Sequence, residues 1–196
     1  MKERLVKLNK YLLIAVRIFL IISVALEIYS KNWLALFITV LAILLTYTPG
    51  LFEKKYKIDI PETLEIFILF FIFAAIYLGE VHSFYFRFWW WDLIMHFCSA
   101  IALALIGFAI LLTLYEKKRI LSKPIWISVF AFAFAFSLGA VWEIFEFTID
   151  QILKTNMQKS GLMDTMTDLI IDAIGALMVS VAGLFYLKKG KLISKK

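Results

Sequence analysis

The chain has 196 residues, of which 63% are hydrophobic and only 18% charged, so an ordinary soluble domain is excluded. Eight glycines and three prolines are too few for a long linker or disordered region, and a lone cysteine, Cys98, excludes an internal disulfide. The net charge of +6 raises the question of nucleic acid, but its distribution, set out below, points to a membrane surface instead.

A spanning helix needs about 20 mostly apolar residues. Six stretches qualify, over 11–29, 32–49, 62–80, 92–114, 125–149 and 165–187, and predict one transmembrane domain over 1–196. The basic, then apolar, N-terminus resembles a signal peptide, but the apolar run is too long and lacks a small-residue cleavage site, so it is expected to be the first span. Asn32 suits the N-cap of the second helix, Thr48-Pro49-Gly50 its end, and Pro61 and Pro124 the first turns of the third and fifth. The alternation of Phe and Ala from Phe130 to Phe136 is strand-like. It sits inside a much longer apolar run, however, which favours helix. The predicted fold is therefore all-α, a six-helix polytopic bundle with antiparallel neighbours.

The basic residues fall mainly on one side. The N-terminus has Lys2, Arg4, Lys7 and Lys10; the second loop has Lys54, Lys55 and Lys57; the fourth has Lys117, Lys118, Arg119 and Lys123; and the tail has Lys188, Lys189, Lys191, Lys195 and Lys196. The opposite side has Lys31, Arg87, Lys154 and Lys159, while Arg17 lies inside the first helix, where it either snorkels to the inner headgroups or pairs within the bundle. This bias predicts that both termini are cytoplasmic, with basic patches on anionic inner-leaflet lipid rather than on nucleic acid. The run Phe84-Tyr85-Phe86-Arg87-Phe88-Trp89-Trp90-Trp91 reads as an aromatic belt at the outer interface.

With that topology the acids collect towards the outer face. Asp92 and His96 are neighbours at i,i+4 in the fourth helix, and Glu143, Glu146 and Asp150 end the fifth. Asp164, Asp168 and Asp172 form a row about 12 Å long down the sixth. Glu27, Glu80 and His82 are expected at the interface or in loops. Asp92 and Asp164 also suit helix N-caps, and Asp150 a solvated helix end. Charge inside an apolar segment marks a functional site by default. Two carboxylates about 4 Å apart repel by roughly 4 kcal/mol at an effective dielectric of 20. Such a cluster must hold protons, recruit basic partners or bind a cation, and the sequence offers few basic partners beyond His96. An oxygen-rich set with one imidazole suits Mn²⁺, Mg²⁺ or Ca²⁺, with Zn²⁺ or Fe²⁺ also compatible. The expected ligands are Asp92, His96, Glu146, Asp168 and Asp172, with Glu143 as general base.

The segments W-W-D-L-I-M-H-F, W-E-I-F-E and D-T-M-T-D-L-I-I-D-A-I-G-A resemble the DUF2238, or YjdF-like, family of bacterial inner-membrane proteins, over about residues 45–185. The spacing D-x3-H, E-x2-polar, D-x3-polar-x2-G is also similar to VanZ-like proteins, which are linked to glycopeptide-antibiotic resistance, over the last three helices. The matched positions are Asp92, His96, Glu143, Glu146, Asp168, Asp172 and Gly175. Where the VanZ-like pattern has amides, this chain has Glu146 and Asp172, two further acids. The resemblance implies a six-helix membrane fold and no particular reaction.

Three functions remain open at this point. One is a metal-dependent hydrolase or transferase acting on a lipid or lipid-linked group at the outer leaflet. Another is a binding or sensing protein with a structural cation. The third, an ion or proton transporter, ranks last, because the inner halves of the last three helices have almost no polar steps and no internal repeat is visible.

Overall fold

The computed structural model describes residues 2–56, 62–116 and 123–193. Their regular elements are α1 (Lys2–Tyr29), α2 (Trp33–Leu45), α3 (Thr48–Tyr56), α4 (Glu62–Ile72) running on as a π-helical segment (Phe73–Val81), α5 (Phe84–Arg87), α6 (Trp91–Glu116), α7 (Pro124–Leu153) and α8 (Leu162–Ile193). No strand occurs among the described residues, and the Phe/Ala tract is part of α7. Val6–Tyr29, Glu62–Val81, Trp91–Tyr115, Pro124–Leu153 and Leu162–Lys189 are each long and apolar enough to cross a bilayer. The pair formed by α2 and α3 is a sixth candidate if counted as one bent span. Pro61, Lys57, Lys117, Lys118, Arg119, Lys195 and Lys196, which carried part of the capping and charge arguments, lie outside the described residues.

The ends of these helices follow local chemistry. The Asn32 side chain accepts a hydrogen bond from the Ala35 N–H at 3.2 Å, as an N-cap should, and Pro124 opens α7. Thr48-Pro49-Gly50, expected to end the second helix, lies at the start of α3 instead. The break falls just before it, with a bend of 40° between α2 and α3. The Thr46 and Thr48 hydroxyls each donate to a carbonyl three residues back, Ile43 O and Leu45 O, both at 2.7 Å. Threonine back-bonding of this kind bends a helix, and Pro49, already in the first turn of α3, has no N–H to miss.

Two compact units emerge, Met1–Trp91 and Asp92–Lys196. In the first, Leu20, Ala42, Ile72 and Tyr77 form the core. Polar side chains tie its helices together. Arg17 Nε donates to Thr46 Oγ1 at 3.0 Å and Nη2 to Thr46 O at 2.8 Å, with the guanidinium 3.7 Å above the Tyr47 ring. Of the two expectations for Arg17, pairing within the bundle is the one realised. Glu27 departs from its expected interfacial place: it is only 7% exposed and accepts the Thr39 hydroxyl at 2.7 Å, because α2 folds back along α1. Ser23 and Tyr77 hydroxyls meet at 2.7 Å. Glu80 is exposed at the end of the π-helical segment, and His82 sets its ring edge-on to Tyr77. In the aromatic run, Phe84 packs edge-on against Phe88 and Trp91, while Phe86 and Trp89 project outwards.

The second unit is built on small residues. Ala104, Ala135 and Ala176 of α6, α7 and α8 meet at its core. Without a hydrophobic drive between helices in lipid, association depends on close van der Waals packing, which small residues permit. A Cβ on Gly175 would lie 3.0 Å from the Phe97 carbonyl and 3.1 Å from the Ala100 Cβ, so the glycine lets α8 reach the backbone of α6. The buried face of α7 runs Ile127, Ser128, Ala131, Ala135 and then Glu143 and Glu146. One helix face is thus apolar and thin along one half and acidic along the other.

Gly175→Val is expected to lower stability by about 1–3 kcal/mol through overpacking. Gly50→Ala, where an added Cβ meets nothing within 4 Å, is expected to be neutral or slightly stabilising. Thermal melting in detergent of the two variants checks the contrast.

Candidate functional site

The first turns of α6 place Asp92 and His96 on one face, and α7 and α8 bring Glu143, Asp164, Asp168 and Asp172 to meet them. His96 is buried. Its Nδ1 lies 3.3 Å from Asp172 Oδ2, and its Nε2 lies 3.6 Å from Glu143 Oε1 and 3.9 Å from Asp92 Oδ1. With the proton on Nδ1, the ring donates to Asp172 and turns its Nε2 lone pair towards Glu143 and Asp92. Asp172 fits because Gly139 of α7 has no side chain: a Cβ there would collide with the Asp172 carboxylate.

Two overlapping sets of donors result. His96, Glu143 and Asp168, all buried, offer ligand atoms within 4.8 Å of one another, and so do Asp92, Asp164 and Asp168 nearer the rim. Asp168 belongs to both. Both oxygens of Glu143, Oδ2 of Asp168 and Oδ1 of Asp172 are buried without a hydrogen-bond partner. These residues are 3%, 2% and 1% exposed respectively. Unpaired carboxylate oxygens in such a place are costly unless a proton or a cation meets them.

Glu146 is also buried, but it stands in neither set; its Oε1 accepts the indole N–H of Trp142 at 2.9 Å. Asp150 is directed away from the cluster to the connection between α7 and α8. Its Oδ1 accepts the Thr155 hydroxyl at 2.6 Å and the Met157 N–H at 2.8 Å, and its Oδ2 the Gln158 N–H at 2.9 Å. The connection reverses through left-handed residues at each end, Lys154 with φ 56° and Gly161 with φ 62°. It delivers Lys159 into the site: Nζ donates to Asp92 Oδ2 at 2.7 Å, and the Lys159 backbone N–H donates to Asp164 Oδ2 at 3.2 Å. Among the few basic partners expected beyond His96, Lys159 is thus one that reaches the cluster. Sequence reasoning counted Lys159 as a loop charge. The available signal was its position five residues before Asp164, in a connection too short to carry a lysine far from the acids it joins. Trp142, one turn before Glu146, opens the W-E-I-F-E segment, and its spacing alone assigns it no partner.

With only helices as regular structure among the described residues, five to six apolar spans and large lipid-compatible apolar surfaces, this is a multi-pass membrane protein. It belongs to the family described as "Predicted membrane protein (DUF2238)", whose model matches residues 9–189. An "Uncharacterized protein" of Thermotoga maritima is 32% identical over 143 residues, 73% of this chain and 72% of that protein. No solved structure matches.

Asp150→Ala is expected to free the α7–α8 connection, speeding amide hydrogen exchange at Met157 and Gln158 while leaving α6 unchanged. Exchange followed by mass spectrometry checks this.

Proposed function

We propose that the cluster binds a divalent cation and that the protein is a metal-dependent hydrolase or transferase acting on a lipid or lipid-linked group at the outer leaflet of a prokaryotic cytoplasmic membrane. The observation that carries this reading is the set of unpartnered buried oxygens of Glu143 and Asp168 beside His96 Nε2. Donors each about 2.1 Å from one ion stand about 3–3.5 Å apart. The 3.6 Å between His96 Nε2 and Glu143 Oε1 is close to that separation. Asp172, on the other ring nitrogen, fixes the imidazole as carboxylates do behind metal-bound histidines, so its role in this reading is positioning rather than ligation.

A bound Mn²⁺, Mg²⁺, Ca²⁺ or Zn²⁺ would polarise the scissile bond and acidify water. His96, Glu143 and Asp168 would hold it, and the second Glu143 oxygen would receive a proton. Glu146, held by Trp142, stands one turn along α7 from Glu143. The finer likenesses, to YjdF-like and VanZ-like proteins, rest on these same positions. A structural cation in a binding or sensing protein is the alternative from another class.

Metal titration of the melting curve tests the site. A divalent ion at hundredfold excess over Kd stabilises by about 2.7 kcal/mol, so it is expected to raise the melting temperature of the wild type. His96→Ala and Asp168→Asn are expected to abolish the shift, and Glu146→Gln to keep most of it. No shift with any divalent ion, together with stabilisation on lowering the pH, would mean shared protons and would overturn the reading. A shift without turnover in a lipid-hydrolysis screen would favour the structural-cation alternative.

The same proposal counts α2 and α3 as one span, giving six, with both termini cytoplasmic and the acid cluster towards the opposite face, on the loop-charge argument. In a Cys98→Ala background, Gln158→Cys is expected to react with an impermeant thiol reagent added outside whole cells, and Lys10→Cys and Lys123→Cys only after lysis. External labelling at 10 or 123 would reverse the orientation.

A further inference from the structure

We propose that the rim half of the cluster, Asp92, Asp164 and Asp168, is a second cation site whose resident cation is the ammonium of Lys159. The inference rests on the cation reading of the deeper half, His96, Glu143 and Asp168, and adds to it a stoichiometry and an occupant.

The three rim acids offer carboxylate oxygens within 4.8 Å of one another. Asp168, only 2% exposed, has an Oδ2 with no hydrogen-bond partner, and the residue is shared by both halves. An acidic triad around such an oxygen needs positive charge from somewhere. Lys159 supplies it, with Nζ 2.7 Å from Asp92 Oδ2. The other end of the same residue is fixed as well, since its backbone N–H bonds Asp164 Oδ2 at 3.2 Å. Lys159 thus contacts two of the three acids from two directions.

The segment that carries it is anchored rather than loose. Asp150 takes three hydrogen bonds from it, and the Gln158 amide donates to the Thr165 hydroxyl at 2.6 Å. A tethered group competes at an effective concentration of about millimolar or more, which a free ion must overcome. An ammonium also brings three donors to a set of acceptors that has none. The deeper half has His96 Nε2 and the Glu143 oxygens instead of a lysine, so it is left for an external ion. Because Asp168 belongs to both donor sets, an ion in the deeper half and one in the rim half would share its carboxylate. The wild type then takes one divalent ion per chain, and removing the ammonium opens the second place.

The test is the metal content of the full-length protein in detergent, stripped with chelator, equilibrated with MnCl₂, desalted and measured by plasma mass spectrometry. The wild type is expected to hold one Mn²⁺ per chain, Lys159→Met two, and Lys159→Met with Asp164→Asn one again. Size-exclusion elution confirms folding; if Lys159→Met does not elute as a single species, Lys159→Gln takes its place with the same expected count. Two ions in the wild type, or one in the folded Lys159 variant, would overturn the proposal. No ion in the wild type but one in the Lys159 variant would sink the deeper site and keep this one. None in either would remove both.

Discussion

The cost of enclosing carboxylates among lipid-embedded helices governs the second half of this molecule. Glu143, Asp168 and Asp172 are almost wholly buried, yet several of their oxygens have no hydrogen-bond partner. An exposed acid cluster would dissipate its repulsion into water. Here water is largely shut out, so compensation must come from His96, from Lys159 and from whatever cation or proton enters. The arrangement is organised around His96, whose two nitrogens face different carboxylates and so divide the cluster into an Nδ1 side, Asp172, and an Nε2 side, Glu143 and Asp92.

Such a cluster demands an accurate scaffold, and small residues supply it. Ala104, Ala135 and Ala176 pack without long side chains whose rotamers would blur the spacing of α6, α7 and α8. Gly139 gives up its side-chain volume to the Asp172 carboxylate, and Gly175 brings α8 against the α6 backbone one turn further along. Packing and electrostatics are therefore joined: a methyl group at position 139 would alter the partner of His96 without touching His96.

The first unit uses polar groups differently. Glu27 with Thr39, Ser23 with Tyr77, and Arg17 with Thr46 are short cross-links, each pairing a donor with an acceptor, and the Arg17 guanidinium also lies over the Tyr47 ring. In a low-dielectric surrounding such bonds hold helices in register. The π-helical segment belongs to this unit and contributes Tyr77 to both its core and its hydroxyl pair. A Cβ at Gly79 would run into the Tyr85 ring, so α5 folds back on the segment only because that position is a glycine.

Helix type, the places of most spans and the identity of the acid-bearing segments were legible in the sequence, because apolar length and i,i+4 spacing are local properties. Asp92 with His96, and the row Asp164, Asp168, Asp172, could be assigned to faces for the same reason. Tertiary structure alone decided which acids meet. Glu143 rather than Glu146 joins His96 and Asp168, since on the same helix face Glu146 lies about 4.5 Å further along the axis and Trp142 takes it up. It also decided that Glu27 is covered by α2, that Asp150 secures a connection instead of joining the cluster, and that Lys159 is turned inward onto Asp92. Each of these depends on a neighbouring segment arriving from elsewhere in the chain or on the path of a short loop, and helical periodicity contains no information about either.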